Sequence, residues 1–177
     1  MRNRRLAWCG VVPLVLCIAD LSTGQTVNLS GKLKANPSKS DYAAVMPVLP
    51  DITLVVAQDE KTLTVKTFMN GEGGEQTVEM RFTTDRKECV NTGRGISDLK
   101  GICWIENGTV HIQTEAEGAR GEGAPDGGPP TLHYFKYKLE RELTISRDQK
   151  SLTSIETLDT PDGKLRMKLV FDRVEQR

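Results

Sequence analysis

The sequence predicts an all-β protein, an antiparallel up-and-down β-barrel of about eight or nine strands, and two observations carry that prediction. From Val27 onward, short runs rich in Thr, Val, Ile, Leu and aromatic residues alternate with polar turns. Within the runs apolar side chains recur at period two, the mark of a strand with one face in a core and the other in water.

Strands are expected, in order, near Leu29 to Ala35, Ile52 to Gln58, Thr62 to Met69, Thr77 to Thr83, Lys100 to Glu106, Thr109 to Ala116, Leu132 to Ser146, Ser151 to Leu158 and Leu165 to Asp172. The alternation is clearest where Leu63, Val65 and Met69 oppose Thr62, Thr64 and Lys66, and where Val78, Met80 and Phe82 oppose Glu79 and Arg81. The turns between them include Asp59-Glu60-Lys61, Asn70-Gly71, Asp85-Arg86-Lys87, Asn107-Gly108, Asp148-Gln149-Lys150 and Asp162-Gly163. Asn-Gly and Asp-Gly tolerate the positive φ of tight hairpins. One short helix is expected over Ser40 to Met46, with Ser40 or Asp41 as N-cap and Pro37, Pro47 and Pro50 around it. Leu132 to Ser146 exceeds an ordinary strand, and Arg141 interrupts its apolar parity, so a bend or a division into two strands is expected there. Closing such a meander removes its exposed edges. A two-sheet β-sandwich is the alternative, because composition and period are the same for both.

The first residues carry an address. Arg2, Arg4 and Arg5 precede an apolar run from Leu6 to Ala19, and Ser22 and Gly24 follow at the small positions before Gln25. This is the order of a secretory signal peptide, so residues 1–24 are expected to be removed and 25–177 to form a single domain of about 150 residues. The run is shorter than a membrane span. The expected location is therefore periplasmic or secreted.

The whole chain has 24 Lys plus Arg against 24 Asp plus Glu, with no basic cluster, which argues against a nucleic-acid partner. Charges at Lys66, Glu79, Arg81, Arg166 and Lys168, opposite the apolar face, argue against a lipid-facing barrel. Past Gln25 the cysteines are Cys89 and Cys103. In an oxidising compartment a disulfide between them is expected, contributing about 3 kcal/mol if unstrained.

Val27-Asn28-Leu29-Ser30-Gly31-Lys32-Leu33, with Asn36 and Lys39-Ser40-Asp41 after it, resembles the opening of secreted bacterial lipocalin-like proteins of uncharacterised role. Asp59 to Val65, Asp85 to Gly93 and Trp104 to Ile112 resemble their successive hairpins. Lipocalins proper carry Gly-x-Trp where this chain has Gly31-Lys32-Leu33. The resemblance implies a calyx-like barrel for an apolar ligand and supplies no shared substrate, catalytic set or partner.

No G-x-S-x-G or H-x-x-H occurs, so no catalytic residue, metal ligand or cofactor is assigned. His111 has the parity of a solvent-facing residue, whereas His133 and Arg141 share the parity of Phe135 and Tyr137. Trp104, His133, Phe135, Tyr137 and Arg141 are the candidate pocket residues. Glu117 to Pro130 reads as a loop, since it has almost nothing apolar to bury. Three functions follow: a non-catalytic barrel binding a small apolar or amphipathic ligand; a protein-binding module, an envelope factor or hydrolase inhibitor, acting through loops around a filled barrel; and a barrel enzyme using His133 and Arg141. The first is the leading expectation.

Overall fold

A computed structural model describes residues 27–43, 48–71, 74–93, 96–122 and 131–175. The expected signal peptide lies outside the described residues.

The strands are β1 (Gly31–Ala35), β2 (Asp51–Gln58), β3 (Thr62–Gly71), β4 (Gly74–Thr83), β5 (Cys89–Gly93), β6 (Ile96–Glu106), β7 (Thr109–Glu122), β8 (Thr131–Ile145), β9 (Ser151–Thr160) and β10 (Gly163–Arg173). They form one 10-stranded antiparallel sheet in the order β4-β3-β2-β1-β10-β9-β8-β7-β6-β5. β1 pairs with β10, Leu33 opposite Arg173, so the first and last strands are neighbours and the sheet curls into a nearly closed barrel. Consecutive hairpins of alternating sequence yield this meander, one strand more than the upper expectation.

The extra strand is β5, whose five residues are too short for a readable period. Further corrections follow from the ladders. Glu117–Glu122, expected as loop, prolongs β7 and pairs with Thr131–Lys136, because a long partner strand satisfies its backbone whatever its composition; residues 123–130 lie outside the description. β8 runs through Arg141 without a break, in continuous register from Glu122↔Thr131 to Val110↔Leu143. In place of the expected helix there is a 3₁₀ turn at Pro37–Lys39, capped by Asn36, whose Oδ1 accepts from the Ser38 N–H. Asp41 is not a cap: it makes an isolated bridge to Lys168. The remainder of that prediction, 44–47, is outside the described residues.

Asn107 and Gly108 take φ of 49° and 77°, as their hairpin turn requires. Gly101 has a different purpose. It stands on the inner face beneath the ring of Phe82, and a Cβ there would lie 2.7 Å from Phe82 Cε1 and 2.9 Å from Thr114 Cγ2. Gly101→Ala is expected to cost about 1–3 kcal/mol by overpacking, read as a lower urea midpoint at unchanged slope; an unchanged midpoint would refute this packing.

The inner faces are not evenly packed. Leu29, Leu33, Leu63, Phe82, Val110 and Leu152 are at most 1% exposed and gather at the end formed by the β2–β3, β6–β7 and β8–β9 hairpins. Toward the opposite end, which holds the β1–β2, β3–β4, β7–β8 and β9–β10 connections, burial decays along β3, β4, β9 and β10, while Ile52 and Leu49 stay buried beside β2. Along the inner face of β10 Phe171 is 2% exposed, Leu169 4% and Leu165 40%. The barrel therefore has a packed floor and an open half.

Candidate functional site

The open half is lined by inner-parity side chains of β8 and its neighbours. Phe135 and Tyr137 sit two residues apart on β8, their rings 6.4 Å between centroids and tilted by 52°. Both are partly buried, and Tyr137 packs against the core. His133 lies on β8 opposite Arg120; its side chain is outside the described residues.

Arg141 is also on the inner face, between Ile112 on β7 and Glu156 on β9. Its Nε lies 3.5 Å from Glu156 Oε1, with the two side chains 23% and 10% exposed. Ser154, 1% exposed, donates from Oγ to the same carboxylate oxygen at 3.0 Å. A buried charge needs a partner and hydrogen bonds, and this trio supplies both. That explains how β8 carries an arginine through its apolar face without bending. Glu156 and Ser154 were not readable as inner residues, because Leu152, Ile155 and Leu158 follow no period of two. The available signal was Arg141 itself: an inward guanidinium implies an inward carboxylate on an adjacent strand.

The barrel wall has one seam, between β4 and β5, which share no ladder. There the β4 backbone is met by β5 side chains. Arg81 N–H donates to Asn91 Oδ1 at 2.6 Å, and Thr83 N–H to Cys89 Sγ at 3.3 Å. Asn91 is 8% exposed, and its Nδ2 is the buried side-chain atom left without a hydrogen-bond partner among the described residues. Nothing in the sequence signals this, since only the tertiary seam turns an asparagine in a short strand inward.

Two expectations need correction. Cys89 and Cys103 are free thiols, not a disulfide. Cys89 faces Gly101 across the ladder, with Cys103 two residues along, and its sulfur is turned to the seam. Burial, then the neighbouring Cys89, pushes the Cys103 thiol up to about 12, so it stays protonated at neutral pH and makes no thiolate nucleophile. Trp104 is not an interior residue. It alternates with buried Cys103 and lies on the outer face, stacked on His111 at 4.9 Å and 9°. The Arg86 guanidinium lies 4.8 Å from its ring, and Trp104 Nε1 donates to Glu106 at 3.3 Å.

A concavity of about 530 Å³ is bordered by Lys100, Glu115, Glu117, Lys136, Lys138 and Asp159, with Ala116, Tyr137 and Thr160. Its charged residues have the parity opposite to buried Ala116, which places it on the outside of the wall and not in the lumen. Along it the register sets Lys100, Glu115, Lys138, Asp159 and Lys164 side by side with alternating sign. Such a ladder compensates itself.

No protein-family model and no curated protein matches the chain. Solved structures match it in fold. One described as "REP1-NXSQ fatty acid transporter" has a TM-score of 0.53 at 17% identity, covering 84% of this chain and 98% of that one. Zebrafish ileal bile acid-binding protein, complexed with cholic acid, has 0.52 at 13% identity over 82% and 98%. A point mutant of the transporter has 0.51 at 17% identity. These likenesses establish the lipocalin-like barrel fold expected from the sequence.

Proposed function

We propose that this protein is an exported, non-catalytic carrier that holds a small apolar or amphipathic molecule in the open half of its barrel, after removal of residues 1–24. The observation that carries this reading is the burial gradient along the inner faces, from Phe171 at 2% to Leu165 at 40% exposed. A barrel that existed only to fold would bury Leu165 as well, because apolar surface left in water forgoes about 25 cal/mol per Å². The neighbours named as a fatty acid transporter and a bile acid-binding protein support the same reading, since both names are those of proteins that take amphipathic molecules. The protein-binding alternative relies on Glu117 to Pro130 or a barrel rim, and no observation favours it over the lumen.

Native mass spectrometry of protein recovered from the periplasm without detergent tests the proposal. The expected result is the mass of a chain beginning at Gln25 plus an adduct that leaves on denaturation. A bare chain that also fails to bind added lipids would overturn it.

A further inference from the structure

We infer that the molecule held in the barrel is an uncharged amphiphile whose polar end is a hydrogen-bond acceptor received by the Asn91 amide, and not a free acid; this rests on the carrier reading above. The orientation of the Asn91 amide is fixed by its surroundings. Arg81 N–H can only donate, so the atom 2.6 Å from it must be Oδ1, and rotating the amide would set two donors against each other. Nδ2 is therefore the free end, buried and without an acceptor among the described residues. An amide donor in that position is costly unless something inside the barrel accepts from it.

Register and the seam hydrogen bond together place this donor at the bottom of the lumen. Asn91 faces Leu99, next to Lys100; Lys100 faces Glu115, next to Ala116; and Ala116 faces Tyr137. Across the seam Asn91 holds the N–H of Arg81, the residue between Met80 and Phe82, so its donor lies just above the Phe82 floor. Four residues beyond Tyr137 on β8 lies Arg141, an inner-face cation that already has its anion in Glu156. A ligand carboxylate reaching Arg141 would bring a second negative charge against Glu156 at low dielectric. At Asn91 the same carboxylate would surrender its hydration to a single neutral donor. An ester, ketone or alcohol oxygen loses far less water and gains the same hydrogen bond.

Displacement of the neutral dye Nile red by hexadecanoic acid and by its methyl ester tests this on the mature chain. The ester is expected to displace the dye at a concentration at least about tenfold below the acid. Asn91→Asp keeps the acceptor for Arg81 and removes the inward donor, and should weaken the ester about tenfold while the dye still binds. Glu156→Gln frees Arg141 and should strengthen the acid about tenfold; should Asn91→Asp not fold, this variant and the wild-type ranking decide. Dye binding with the acid equal to or tighter than the ester would overturn the inference and leave the carrier reading intact. Binding of neither dye nor lipid would overturn both.

Discussion

Arg141→Ala is expected to lower stability by about 3 kcal/mol, near the lower bound for orphaning one member of a buried ion pair. The discount reflects the 23% of the Arg141 side chain that reaches solvent. The loss arises mainly at the residue left behind. Glu156, 10% exposed, would keep the Ser154 hydroxyl as a donor and lose its counter-charge. Replacing both residues should behave differently. Arg141→Met with Glu156→Met removes the charge problem altogether and extends the apolar inner face from Ile112 to Met167, which are their outer neighbours in the ladder. The double variant should recover most of the loss, because a buried pair is close to neutral against well-packed apolar residues. Urea unfolding of the wild type, both singles and the double gives the coupling energy directly. Strictly additive losses would mean that the two groups do not interact across the lumen. For a domain of about 150 residues, the single variant should melt roughly 6–12 °C lower.

This pair also marks where the sequence stops being readable. The inward position of Arg141 follows from counting in twos along Phe135, Tyr137 and Leu139, and the structure places it there. Its partner needed the register between β8 and β9, a property of two strands that neither sequence contains alone. The same division holds elsewhere. The Asn107-Gly108 turn was legible because local sterics govern it, and the long strands were legible because each repeats its period several times. Cys89–Gly93 was not, since five residues bounded by turns supply too few repeats. Glu117–Glu122 misled for the converse reason: its glycines and charges describe a loop, yet pairing with β8 decides its conformation. Trp104 lies outside because it alternates with Cys103, whose burial only the folded barrel reveals. The seam through Asn91 and Cys89 exists only once strands distant in order have closed on each other.

The second large effect lies in the floor. Phe82 is fully buried, and its ring covers Gly101, where the absence of a Cβ lets it approach the β6 backbone. Phe82→Ala removes a ring that its neighbours cannot replace, because Gly101 has no side chain to move and Leu63, opposite Phe82 in the ladder, is itself 1% exposed. The expected cost is about 3–5 kcal/mol, the transfer term plus an uncollapsed cavity. Ligand binding should respond differently. The floor and the open half are separate along the barrel axis, so Nile red affinity should be retained or improved at temperatures where the variant is folded, since the new cavity deepens the apolar lumen from below. Paired measurement of the urea midpoint and dye affinity separates the two roles. Parallel loss of both would mean that Phe82 touches the ligand and that the cup extends to what is here assigned as its floor. Loss of stability alone places the ligand above Phe82, with its polar end no deeper than Asn91 beside Arg81.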